Sequence, residues 1–390
     1  MPRSAAQKAA RNAARNAARR LPGPTFPLSS LPPELQLLVL CKCDMKSMRR
    51  LIRLSPSLRA LFLAYPETCL RGTMHHFPHP VGSLVQAAWA LHCIDPSDLD
   101  PQKATALLQH PSLTEWTMWY TRYDDPIDVL EGLLEMCEDV NDLVQTYAQR
   151  VSAAIEMFVN PWVQSAPITL SPTEFARIAS TFYMLTIFYQ LLLKLPNHPS
   201  AAEYFQTFVR NLRPWQVEQG VSIEAFIHSC RYRAGTTVHT LIRHQFSARF
   251  KLNKTSSFFQ LFWEIMGLDH TVPGGPPICF SEAVRGIRQN LAPSPAVVPW
   301  NRHLDPLELQ VGPQHPTNQL RNDGWIYFKL VKQNVTIDLQ QYRVFFLDLG
   351  IFFWDLDRLA EWGFIDPTDF PAIGRKLQRQ LRSRLLSSFP

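Results

Sequence analysis

The stretch FPLSSLPPELQLLVLCKCDMKSMRRLIRLSPSLRALFLAYPETCLRG, residues Phe26 to Gly72, decides how the chain is read. It divides into three short helical patterns, each with its own start signal. In the first, Leu31 precedes Pro32-Pro33-Glu34, which puts prolines where a missing N–H costs nothing and a carboxylate where unpaired first-turn amides favour it. Asp44 opens the second as N-cap, with Met45, Met48 and Ile52 at helical spacing and Leu51 and Leu54 widening the stripe. The third follows Ser55-Pro56 and carries Leu58, Leu61, Phe62 and Tyr65 at the spacing of one face.

The first of these helices has more apolar surface than its module can use. Leu35, Leu38 and Val39 form one apolar face, and Leu37, Leu40 and Cys41 form a second. A unit of about 45 residues removes little surface from water even when every apolar face is turned inward. One face is therefore left for another surface, and each leucine-sized side chain buried there is worth roughly 1.5 to 3 kcal/mol. The competing reading makes the hairpin part of the core of a larger α-domain.

The order Leu31-Pro32-x-Glu34-Leu35, then Val39-Leu40, Asp44 opening the second helix, Leu54-Ser55 and Leu58-Arg59 resembles the F-box. That family's module binds the Skp-type adaptor, which bridges to the cullin scaffold of cullin-RING (SCF-type) ubiquitin ligases, while the rest of the chain recruits a protein substrate. The resemblance implies a non-catalytic adaptor with no cofactor and no metal. It assigns partner binding to Leu31, Pro32, Glu34, Leu35, Leu38, Val39, Met48, Leu54 and Leu58. The sequence departs from the family pattern at Leu58, where a large aromatic is usual, and at Cys43, where a leucine is usual. Farther along, Trp215-x-x-Glu218-Gln219 and Gly350-Ile351-Phe352-Phe353-Trp354-Asp355-x-Asp357-Arg358-Leu359 are similar to motifs of fungal F-box proteins with helical C-terminal regions.

Charge narrows the alternatives. The 390 residues carry a net charge of +6, and Arg3, Lys8, Arg11, Arg15, Arg19 and Arg20 lie in an Ala/Arg-rich tail, residues 1–25, that has no acid. The 39 basic residues less these six leave 33 against 33 acidic ones. Nucleic-acid binding is thus expected only through the tail, whose other readings are a solvated leader, a nuclear-import patch or a mitochondrial leader. Seven cysteines, an odd number, with no secretory signal fit free thiols in a reducing, intracellular compartment, nucleus or cytoplasm.

The remainder reads as helical. His75-His76-Phe77-Pro78-His79-Pro80 forms a linker, because prolines on both sides of His79 prevent a helical pair of ligands. A helix over Val81 to Cys93 presents Leu84, Val85, Ala88 and Trp89. Asp124 to Asp142 holds eight acids without a base, coating one or two helices whose apolar face is Leu130, Leu133, Leu134 and Cys137. Ser171-Pro172-Thr173-Glu174 is a capping box opening a central helix that runs to Leu195 and is too short, over its uncharged part, to span a bilayer. Further helices are expected over Ala201 to Leu212, Pro214 to Cys230, Gly235 to Arg249 and Arg375 to Arg384. In the aromatic C-terminal block, Asp355 is expected to cap a short helix and Arg358 to pair with an acid.

The fold class is therefore mainly α: a small three-helix F-box-like module, 26–72, followed by an irregular all-α domain over 73–270. That domain has a Pro-rich loop insertion at 271–323 and resumes in the aromatic-rich block 324–390. No Ser-His-Asp order, HExxH, Walker sequence or dinucleotide fingerprint is legible, so no enzyme and no membrane association are expected. The alternative function is a helical scaffold that acts through its basic tail.

Overall fold

A computed structural model describes residues 28–78, 80–95, 99, 125–159, 168–194, 212, 214–231, 323–324, 326–327, 349–362 and 364. The basic tail 1–25, the helices expected over 201–211, 235–249 and 375–384, and the loop-like stretch 271–322 lie outside the described residues. Among the described residues every element is helical, so the fold is mainly α. The chain divides into two compact units, Met1–Thr73 and Met74–Pro390.

In the N-terminal unit, α1 (Pro33–Lys42), α2 (Met45–Leu54), α3 (Pro56–Ala64) and α4 (Pro66–Met74) follow one another with almost no connecting chain. Each boundary has a local chemical cause. Pro32 precedes α1 and offers no side-chain cap, so the Gln36 amide folds back and donates to the Leu31 carbonyl at 2.8 Å. Asp44 caps α2, accepting from the Ser47 amide at 3.0 Å and the Ser47 hydroxyl at 2.7 Å. These two bonds hold its carboxyl below the usual carboxylate range. Ser55 ends α2 and caps α3, accepting from the Leu58 amide at 3.4 Å. The spacing predicted all three of these starts.

It did not predict α4, and the expected three-helix module has four helices. Pro66-Glu67 is the same first-turn signal that opens α1, and the helix it starts buries Cys69 and Leu70 completely. The unit's core is Leu40, Met45, Met48, Ile52, Leu58, Phe62, Cys69 and Leu70, all at most 5% exposed. Gly72 brings α4 against α1, since a Cβ there would stand 2.6 Å from the Cys41 carbonyl oxygen and 2.8 Å from its Cα. Two expectations for the stripes fail: Leu54 and Tyr65 are 81% and 51% exposed, because the chain turns at both positions and carries them out of the helical face.

The C-terminal unit is built around α7 (Pro172–Lys194), which packs against α5 (Val81–Cys93), α6 (Pro126–Val159) and α8 (Pro214–Arg231). Every residue of α7 from Thr181 to Leu191 is buried, which is why this stretch carries no charge. On α5, Val85, Ala88 and Trp89 are buried as expected, and so are Ala87, Ala90 and Leu91, so α5 too is enclosed on more than one side. From Asp128 to Asp142 the acidic stretch belongs to a single helix of 34 residues, α6. Its Val129, Leu130, Leu133 and Leu134 point inward, and Asp128, Glu135 and Asp142 are exposed. Among the described residues no helix is long and apolar enough to cross a membrane.

The unit is closed by a segment from the far end of the chain. Gly350, in the left-handed conformation at φ 57°, turns the backbone into a short 3-10 turn, Ile351–Phe353, ahead of α9 (Leu356–Glu361). The side chains of Ile351, Phe352, Phe353 and Trp354 are all buried. Tyr147 of α6 meets Phe353 and Phe226 edge-on at 5.3 and 5.2 Å, an arrangement that suits the opposite charges of ring face and ring edge. Trp354 donates its indole N–H to the Leu349 carbonyl at 2.9 Å.

Candidate partner-binding face

On α1 the two apolar faces have different fates. Leu40 is fully buried and Leu37 and Cys41 half-buried, so the second face is the one the unit uses. Leu35 and Leu38, one turn apart, are 46% and 52% exposed. Val39 and Leu31 are half-buried beside them, and Pro32 and Glu34 are exposed. Leu54, Leu63 and Tyr65 add exposed apolar side chains at the ends of α2 and α3.

Of the nine residues the family resemblance assigns to partner binding, seven thus have surface to offer. Met48 and Leu58 are 0% and 1% exposed and lie in the unit's own core. They belong to the core in which α2 packs on α3 and α3 on α1, and they have no surface with which to touch another molecule. Leu63 and Tyr65 are additional exposed positions that sequence reasoning missed: Tyr65 was assigned to the buried face by spacing, and Leu63 was not singled out. The signal for Tyr65 was Pro66, which ends α3 just before it and breaks the periodicity.

The whole-chain charge sum also concealed a feature. Residues 26–73 carry seven basic side chains against three acidic ones. Lys46, Arg50, Arg53 and Arg59 are all exposed. The apolar positions of this unit therefore sit on a positively charged body, a combination that steers encounter with an acidic surface.

The C-terminal unit holds the densest set of polar side chains, on the capping box of α7. The Ser171 amide donates to Glu174 at 2.9 Å and the Glu174 amide to the Ser171 hydroxyl at 3.1 Å, the reciprocal pair that the spacing predicts. The same residues bind the C-terminal segment. Ser171 and Thr173 donate to one Asp355 oxygen at 2.5 and 2.6 Å, and Arg177 donates to the other at 2.7 Å and to the Phe353 carbonyl at 3.0 Å. Arg358 closes on Glu174 at 3.1 Å and on the Thr169 carbonyl at 2.5 Å.

Burial by itself would raise the Asp355 carboxyl, but the two hydroxyls and the Arg177 guanidinium outweigh it and hold the group below the usual carboxylate range. Asp355 stands at the N-cap position of α9, as expected, yet its side chain makes no cap there because all of these partners lie on α7. Arg358 finds the acid the sequence asked for. The two C-terminal motif segments also meet, with Gln219 donating to the Phe352 carbonyl at 2.8 Å.

The hydroxyls and carboxylates of this cluster are all engaged. The Ser171 hydroxyl is engaged by Asp355, Thr173 and the Glu174 amide, and both charges of the Arg177–Asp355 pair are matched. Beside it runs an open groove of about 770 Å³ whose polar lining includes His75, His76, Gln145, Thr169 and Ser171. His75 and His76 are exposed, and among the described residues no carboxylate lines the groove and no cluster of side chains is arranged to hold a metal ion. The arrangement on α7 locks a distant segment in place. No family model, no curated protein and no solved structure matches this chain.

Proposed function

We propose that the chain is a non-catalytic, substrate-recruiting adaptor of an SCF-type cullin-RING ubiquitin ligase, in which the N-terminal unit docks on the Skp-type adaptor. The observation that carries this reading is the outer face of α1. Leu35 and Leu38 stand about half exposed on a helix whose other side supplies the fully buried Leu40, and Leu35 closes the Leu31-Pro32-x-Glu34-Leu35 order that resembles the F-box. Covering the exposed halves of two leucines is worth roughly 1.5 to 3 kcal/mol, or one to two powers of ten in affinity. Exposed basic side chains on the same unit favour an acidic partner surface. The helical remainder is the part that recruits a protein substrate.

Co-expression with a Skp-type adaptor followed by purification on a tag tests the reading. The wild-type chain is expected to retain the adaptor, and Leu35→Asp combined with Leu38→Asp is expected to lose it while keeping its helical circular dichroism. A complex that survives both substitutions, or a folded wild-type chain that never binds the adaptor, overturns it.

A further inference from the structure

The end of α1 carries a feature that partner binding does not use. Cys41, on the last turn of α1, is half-buried, and its Sγ donates to the Thr68 carbonyl at 3.5 Å. The next residue after Thr68, Cys69 on α4, is fully buried, so the Cys41 thiol reaches the backbone directly beside it. Gly72, one turn farther along α4, is what permits this, because any side chain there would strike the Cys41 backbone. Helices pressed together so closely at one residue bring side chains one turn away within the separation a disulfide spans.

We propose that Cys41 and Cys69 are a modification site, a thiol pair that a peroxide-class oxidant converts into a disulfide joining α1 to α4. In the first step the Cys41 sulfur attacks the peroxide. The O–O bond breaks, one oxygen stays on sulfur as a sulfenic acid, and for hydrogen peroxide the other leaves as water. In the second step the Cys69 sulfur attacks Cys41. The S–S bond forms, the S–O bond breaks, and the departing hydroxide takes the Cys69 proton as a second water. The two sulfurs together lose two electrons and two protons, and one peroxide becomes two waters.

The unequal burial of the pair suits this order. Cys41 has the solvent access that the oxidant needs, and Cys69 needs none because its target lies on the turn of α1 that Thr68 and Gly72 touch. Burial pushes both thiols up, Cys69 to about 12, and the charge of Cys41 supplies part of that rise. Once Cys41 is a neutral sulfenic acid that part vanishes, and Cys69 is easier to deprotonate for the second step. Cys43 is the nearest competitor in sequence. Burial raises its thiol as it does that of Cys41, and the Asp44 carboxylate beside it adds to the rise, whereas the charge of Lys42 opposes it at Cys41. The resulting bond closes a loop of roughly 30 residues holding α2 and α3, in a unit small enough for one covalent constraint to matter. The inference rests on the packing of α1 against α4 and stands whether or not the adaptor binds.

The test treats the full-length chain with stoichiometric hydrogen peroxide, blocks remaining thiols, and maps the peptides by mass. The expected product is a peptide pair joined between Cys41 and Cys69, about 2 Da lighter than its reduced parts and separated again by a thiol reductant. It should form in wild type and in Cys43→Ser, and be absent from Cys41→Ser and Cys69→Ser. Oxidised wild type should also unfold at higher denaturant than reduced wild type, a reading that needs no variant to fold. Cys41 recovered as sulfinic acid with Cys69 still open to alkylation, a Cys41–Cys43 link, or an unchanged unfolding midpoint would each overturn the proposal.

Discussion

The two units of this chain treat their surplus side chains in opposite ways. In the C-terminal unit α7 is buried continuously from Thr181 to Leu191, and the polar groups at its start are matched by Asp355 and Arg358 from a segment some 180 residues away. In the N-terminal unit four helices of nine or ten residues share one small core, and Leu35 and Leu38 are left outside it. The first arrangement holds together by closure over a long span of chain. The second is held by local caps and leaves apolar surface uncovered. A unit whose exposed leucines were mere packing leftovers should gain from replacing them with polar residues; a unit whose leucines meet a partner should lose binding and keep its fold.

The largest effect should come from breaking the closure. Arg177 is 5% exposed and pairs with Asp355 at 2.7 Å, so Arg177→Ala leaves a carboxylate facing buried hydroxyls without its cation. A loss of about 3 kcal/mol or more is expected in chemical denaturation, with the transition of the C-terminal unit moving first. Next in size is the contrast within α1. Leu40→Ala removes a fully buried side chain and should cost about 2 to 5 kcal/mol, whereas Leu38→Ala should stay within about 0.5 kcal/mol, both read from denaturant midpoints. Equal costs at the two positions would erase the distinction between the faces of α1.

Acid should separate the units further. The folded-state carboxyl of Asp355 lies below its unfolded value, so its contribution is fully present above the usual carboxylate range and is lost as pH falls through the folded value. Denaturation midpoints measured on descending pH should fall more steeply in wild type than in Asp355→Asn below about pH 4. Asp44 shifts in the same direction but is exposed, so its contribution to that slope should be small. The loss of the cap itself should be modest: Asp44→Ala should cost about 1 kcal/mol, with the loss confined to the N-terminal unit.

Local chemistry was legible in the sequence, and long-range chemistry was not. Asp44 with Ser47, Ser55 with Leu58, and Ser171 with Glu174 are all three residues apart, and a cap at that spacing needs only the helix it opens. The meeting of Ser171 and Thr173 with Asp355 depends on the path of the whole chain, so spacing placed Asp355 at the cap of its own helix and gave its side chain the wrong partner. The helix α4 was missed because its short apolar run, Cys69-Leu70, lacks the repeated period that marks a longer helix. On α1 the sequence displayed two apolar faces, but the positions of α3 and α4 decide which one is covered. Leu54 shows the same limit, since it continues the period of α2 yet projects into solvent where the chain turns at Ser55.

The central claim is that the outer face of α1 meets a Skp-type adaptor while Met48 and Leu58 stay inside. Site-specific photo-crosslinking tests it most directly, with the reactive side chain placed in turn at positions 35, 38, 48 and 58 of the chain in the presence of the adaptor. Crosslinks to the adaptor from 35 and 38, and none from 48 or 58, are the predicted result. Crosslinks from all four positions alike, or from none in a mixture where both proteins are folded, would contradict it.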